Sequence, residues 1–171
     1  MTARRVVIGI MGAGDPGAQS LADARRLGRL VAQRGWVVLT GGRPLGVMAA
    51  ACAGAKEVAG SLTLGILPSA RGGVAADVDL AVFTGMGDAR NAVNVLTSDV
   101  VIACGVEGAG TASEVALALK AARPVVLLGA SPEAGAFFRR IAGTGRLVEA
   151  STPEEAVRHA AELLDATREE A

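Results

Sequence analysis

The sequence predicts a doubly wound α/β domain: a mainly parallel sheet of about seven strands with helices on both faces. Three observations lead there. Short apolar, β-rich runs alternate with helical patterns from end to end. The runs are apolar throughout rather than at every second residue, as strands covered on both sides must be. Three of the runs end in glycine turns, at 12–17, 41–46 and 105–110, and lead toward a helix. At 171 residues, the chain is expected to form one domain over residues 1–171.

The strands read as Val6–Met11, Trp36–Thr40, Leu62–Leu67, Leu80–Phe83, Val100–Ala103, Val125–Leu128 and Leu147–Glu149. A helix over about Ser20–Arg34 carries Leu27, Leu30 and Val31 on its inner stripe and Asp23, Arg26, Arg29 and Gln33 on its wet side. Gly35 stands where a C-terminal glycine belongs. Two helices, about Gly46–Ala55 and about Ser113–Ala121, are apolar almost all round. Helices of that kind are either central in the domain or packed against a second subunit, and a homo-oligomer is expected. A further helix carries Val93 and Leu96 inward, and the segment Pro68–Asp79 has no clear period. In the last helix, about Pro153–Glu169, Val157, Ala160, Ala161 and Leu164 repeat at helical spacing. Thr152-Pro-Glu-Glu155 opens it as a capping box with proline at the first position.

Composition narrows the function. Hydrophobic residues make up 51 % of the chain, which argues against disorder, and no apolar run is long and charge-free enough to span a membrane. The N-terminus lacks the long apolar core of a signal peptide, so a cytoplasmic location is expected. Net charge is zero, there is no Tyr, and only one Trp and three Phe are present. Neither a basic face for nucleic acid nor an aromatic platform for single-stranded bases is available. A single His, His159, removes most zinc and triad chemistry, and no metal site is expected. Cys52 and Cys104 sit in apolar settings and read as buried thiols.

The candidate site lies at the glycine turns. A strand that ends in glycine and opens a helix brings free backbone N–H groups to an anion. Gly12-Ala-Gly14-Asp-Pro-Gly17 follows the first strand, but the second strand ends in Thr40-Gly41-Gly42, with no acid for ribose hydroxyls, so NAD is not expected. Gly41, Gly42, Arg43 and Gly46 form the second turn, where a planar guanidinium suits phosphate. Asp88 reads as an N-cap, and Arg90 and Asn91 follow it in a first helical turn. A cation there works against the helix dipole, which an anionic ligand or Glu114 would explain. Gly108, Ala109, Gly110, Thr111 and Glu114 form the third turn. Thr111 to Glu114 also has the spacing of a capping box, but a plain cap does not need Gly108 and Gly110 ahead of it. Together the turns point to a small phosphate-bearing ligand.

These residues resemble the Rossmann-like superfamily of the cytokinin-activating phosphoribohydrolases, long called lysine decarboxylase-like, whose hallmark is P-G-G-x-G-T-x-x-E with an upstream G-G-G-x-x-G-x-M and an arginine between. Gly108, Gly110, Thr111 and Glu114, then Gly41, Gly42, Gly46 and Met48, and Arg90 match it. Val106-Glu107 replaces the Pro-Gly, Arg43 the third glycine, and Asn91 a usual lysine. The chain is more similar still to the molybdenum cofactor carrier proteins of that superfamily. Ile8–Gly12, Gly35–Arg43, Leu45–Met48, Gly54–Glu57, Gly65–Pro68, Gly110–Lys120 and Pro132–Phe138 carry this likeness, and Arg43 agrees with it.

The carrier resemblance implies a protein that binds molybdenum cofactor, protects it and hands it on without turnover, to molybdoenzymes as recipients. It also implies a homo-oligomer, a dimer or tetramer. The hydrolase resemblance implies cleavage of the N-glycosidic bond of a nucleoside 5′-monophosphate. In that reaction Glu114 stabilises the oxocarbenium-like centre or activates water, and Arg90 orients the ribose or the carboxylate. A nucleotide-sensing module without turnover is a third reading.

Overall fold

In the computed structural model, which describes residues 4–143 and 145–169, seven parallel strands form one sheet with helices on both faces. The strands are β1 (Val7–Met11), β2 (Val37–Thr40), β3 (Leu62–Leu67), β4 (Leu80–Phe83), β5 (Val100–Cys104), β6 (Val125–Leu128) and β7 (Leu147–Ala150). The helices are α1 (Ala18–Gln33), α2 (Gly46–Lys56), α3 (Arg90–Thr97), α4 (Ala109–Lys120), α5 (Pro132–Ala142) and α6 (Pro153–Glu169). The strand order is β4-β3-β2-β1-β5-β6-β7, with every neighbouring pair parallel. The chain winds outward from β1 in one direction, then returns through α3 to start again at β5 on the other side. The crevice between β1 and β5, outside their carboxyl ends, is the topological switch point where such sheets hold ligands.

The core has two layers. On one face Leu27, Val31, Val47, Ala51, Val157 and Ala160 from α1, α2 and α6 cover Ile8, Ile10, Val38 and Ile102. On the other, Val95, Val115, Ala118 and Phe138 from α3, α4 and α5 cover Leu39, Ile66, Val101 and Leu127. The central strands β2, β5 and β6 are buried on every residue, which is why they read as continuous apolar runs.

Several local expectations meet corrections. The all-apolar helix α2 buries Val47, Met48, Ala51, Cys52 and Ala55 within the chain and leaves Ala49, Ala50 and Ala53 half-buried. It lies under α1, so close that a methyl on Gly28 would overlap the Ala51 carbonyl and one on Gly54 the Arg25 carbonyl. On α3, Leu96 is 56 % exposed, while Val95 and Asn94 are buried in its place. The helix begins at Arg90 rather than at an Asp88 cap, because Gly87–Ala89 is a separate 3₁₀ turn with no capping side chain. Ala161 of α6 is half-buried. At its start, Thr152 Oγ1 accepts from Glu155 N–H at 3.2 Å as expected, but the Glu155 carboxylate accepts from Ser151 N–H at 2.8 Å, one residue earlier than a standard capping box. Helix α5, capped by Ser131 Oγ accepting from Ala134 N–H at 3.2 Å, was not among the elements expected from periodicity. No helix among the described residues is long and apolar enough to cross a membrane.

Candidate functional site

A cleft of about 270 Å³ opens at the carboxyl ends of β1, β2 and β5. Each strand delivers one turn to it. Gly12 and Gly14 come from the end of β1, Gly41 and Arg43 from the end of β2, and Gly108, Gly110, Thr111 and Glu114 from the segment after β5. Asp88, Arg90 and Asn91 close the fourth side from the start of α3. The rim is open: Arg43, Asp88, Gly108 and Gly110 are exposed. The floor is buried and polar: Arg90, Asn91, Thr111 and Glu114 are each at most 9 % exposed.

Three residues expected in the site stand just behind it, outside the lining. Gly42 turns the chain at φ 71°, its N–H donating to Thr40 Oγ1 at 3.1 Å. Gly46 opens α2 beneath the first turn, where Val47 N–H donates to Ala13 C=O at 3.1 Å. Ala109 is the first residue of α4.

Helix α4 starts four residues earlier than its apolar pattern suggests, with Gly108 at its N-cap and no capping side chain. Thr111 and Glu114 therefore sit inside the helix, and they do not form a capping box. Glu114 turns inward instead. Its Oε1 accepts from Asn94 Nδ2 at 2.9 Å and lies 3.9 Å from Arg90 Nη1. Asn91 Nδ2 donates to Ser113 Oγ at 3.2 Å, tying α3 to α4.

The electrostatics of the floor are unbalanced. Burial pulls the Arg90 guanidinium below its usual value; Glu114 opposes that, and the like charge of Arg43 adds to it. Burial also pushes the Glu114 carboxyl above the usual carboxylate range, against the pull of Asn94 and Arg90. Arg90 Nε and Nη1 and Asn94 Oδ1 are buried without a hydrogen-bond partner. Buried polar atoms of this kind normally find partners, so the floor has donors to spare for an anionic ligand.

Pattern reading missed four wall residues, Ile10, Met11, Ala13 and Met48, although Met48 stands in the matched motif. It also missed Asn94, which sits one turn after Arg90 on the same helix face; a buried polar residue at that spacing was its one signal. Among the described residues no group of three or more His, Cys, Asp or Glu is placed to hold a metal ion. Cys52 and Cys104 are free and buried outside the cleft lining. Burial, with Asp23 and Glu107 nearby, pushes the Cys104 thiol up to about 12, so it stays an unreactive thiol.

The model of the SLOG cluster4 family matches residues 5–157. The chain belongs to that family. Its fold is similar to the molybdenum cofactor binding protein of the phototrophic bacterium Rippkaea orientalis, at 46 % identity and a TM-score of 0.88, covering 98 % of this chain and 99 % of that one. It is similar to the Moco carrier protein of Chlamydomonas reinhardtii at 45 % identity and a TM-score of 0.89, covering 95 % and 99 %. An uncharacterized protein of Archaeoglobus fulgidus is 38 % identical over 121 residues, 71 % of this chain and 78 % of that protein. As a SLOG cluster4 protein the chain carries its Arg43, Arg90 and Glu114 on a fold similar to those of the Rippkaea and Chlamydomonas proteins.

Proposed function

We propose that this protein binds molybdenum cofactor in the cleft between β1 and β5, shields it from solvent and passes it on without turnover. The observation that carries the reading is the buried Arg90 with two unpartnered guanidinium nitrogens, in a cleft lined by residues of three glycine turns. A phosphate fits that arrangement, since its oxygens accept from a planar guanidinium and from loop amides. The near full-length similarity to cofactor binding and carrier proteins supports the choice of cargo. In this reading Gly12, Gly14, Gly41, Gly108, Gly110 and Thr111 line the anion's bed. Arg43, Arg90 and Asn91 supply charge and donors, and Gly42, Gly46 and Ala109 hold the turns in shape. The protein contributes no metal ligand; molybdenum arrives as part of the cargo.

The working form is a homo-oligomer. Every residue of the edge strand β4 is exposed, and Leu80, Val82 and Phe83 there, with Met86 and Leu96 beyond, leave large apolar side chains uncovered. An exposed apolar edge and patch of this kind is a template for contact with another chain. Molybdoenzymes are the recipients, in the cytoplasm.

A second reading rests on Glu114. It lies in the cleft beside Arg90, is not a helix cap, and holds its proton more tightly than an ordinary carboxyl, as an acid–base catalyst of N-glycosidic cleavage would. One experiment separates the two. The purified protein is given molybdenum cofactor and, separately, AMP and adenine-type riboside monophosphates, and both binding and free base are measured. Tight cofactor binding with no base released is the expected result. Steady base release that Glu114→Gln abolishes would replace the carrier with the hydrolase.

A further inference from the structure

The geometry points to a second anion pocket beyond Arg43, so that the favoured cargo is a cofactor whose phosphate is extended through a second phosphate to a nucleoside. This inference rests on the carrier reading and deepens it. A second cavity of about 400 Å³ lies beside the first, lined by Arg43, Leu67, Pro68, Ser69, Arg71 and the glycine pair 72–73. Arg43 lines both cavities.

Size is the first argument. Sites that enclose a whole small-molecule ligand span roughly 300–1,000 Å³. The main cleft, at about 270 Å³, falls below that range; a cavity of about 580 Å³ that shares Asp88 and Asn91 with it, or the one that shares Arg43, would bring it inside, and only the latter is lined by two arginines.

Charge is the second. Arg25, Arg26 and Arg139 elsewhere on the surface each hold a carboxylate. Among the described residues Arg43 and Arg71 are, like a few other surface arginines, without an ion pair, but these two line one cavity, and no acidic residue lines it with them. Two arginines facing one cavity with no carboxylate between them suit a phosphate, and their flat faces suit a stacked base. Half-buried Pro68 supplies an apolar edge for that base.

The loop that carries Arg71 is held in place. Ala75 N–H donates to Gly42 C=O at 2.8 Å, Gly85 N–H to Ser69 C=O at 3.2 Å, and Gly87 N–H to Pro68 C=O at 3.0 Å. Arg71 is thereby tethered to the same turn that presents Arg43.

The test uses molybdenum cofactor with its single phosphate and the same cofactor extended by GMP through a diphosphate bridge. Dissociation constants for both are measured on the wild-type protein and on Arg71→Ala, an exposed loop position. The wild-type protein binds the extended form about tenfold more tightly, the scale of one charge-assisted contact at an open surface. Arg71→Ala removes that advantage and leaves the single-phosphate form unchanged. Equal affinity for the two forms, or an Arg71→Ala loss shared equally by both, overturns the second pocket and leaves the carrier reading standing. Failure of the wild-type protein to bind either form overturns both.

Discussion

The guanidinium of Arg90 lies directly over the Cα of Gly41, so close that a methyl on Gly41 would overlap Nη1 and stand 2.6 Å from Nη2. The turn after β2 therefore sets the position of the buried cation, although the two residues are far apart in sequence. Gly41→Ala should displace a side-chain end rather than backbone. Ligand affinity is expected to fall about tenfold with little change in thermal midpoint. Gly42→Ala should do the reverse. Its φ is 71° and an added Cβ would stand 2.9 Å from the Cα of Gly65, so a stability loss of about 1–2 kcal/mol is expected. Titration calorimetry and urea unfolding on the two variants separate the effects.

Removing the cation itself is a stronger change. Arg90→Ala should weaken binding of the phosphate-bearing cofactor by about 10- to 100-fold, the range for a charge-assisted contact in a buried site. It also leaves Glu114 with Asn94 alone as a partner, so its carboxyl moves further up. Calorimetric binding that survives Arg90→Ala undiminished would remove Arg90 from the anion bed.

Glu114 gives the apo protein a pH signature. Burial holds its carboxyl above the unfolded value, so the folded state keeps the proton longer than the unfolded chain does. The resulting stability is fully present below the unfolded value and is lost as pH rises through the folded one. Glu114→Gln should abolish this slope. The midpoint difference between variant and wild type should move in the variant's favour as pH rises above the ordinary carboxylate range of about pH 4. A difference that stays constant with pH would mean that Arg90 and Asn94 fully offset the burial.

The crossing of α1 over α2 is a third place where a methyl matters. Gly28→Ala would press against the Ala51 carbonyl, a backbone group that cannot swing aside. Separating the helices is expected to cost about 1–3 kcal/mol, read as a lower urea midpoint with an unchanged slope.

The apolar edge offers a test of assembly. Leu80→Asp combined with Leu96→Asp places charge on two exposed positions, 53 % and 56 % accessible, that contribute little to the core. Sedimentation should show smaller particles than wild type, with the circular dichroism spectrum unchanged. Equal particle sizes would move the subunit contact elsewhere.

Much of this protein is legible in its sequence because the governing forces are local. A strand buried on both faces must be apolar at every residue, and Val100–Cys104 and Val125–Leu128 say so directly. A strand end followed by glycine announces a turn into a helix, which placed Gly12, Gly41 and Gly108 in the cleft. Helix boundaries were harder, because a capping box and the interior of a helix share the spacing Thr111 to Glu114. Only the path of the chain after Cys104 starts α4 at Ala109 and turns the carboxylate inward. Leu96 and Val95 differ by one position on α3, and which of them faces the sheet depends on the angle at which the helix arrives.

The sequence by itself determined the α/β architecture, the glycine turns and the presence of an arginine and a glutamate near them, since periodicity and turn chemistry are properties of neighbouring residues. The tertiary structure alone decided that Arg90 rests on Gly41, that Asn94 holds Glu114, and that Arg43 lines two cavities. Those relationships join separate elements at the sheet's switch point, and no periodicity along the chain encodes a distance between residues that meet only when the sheet is assembled.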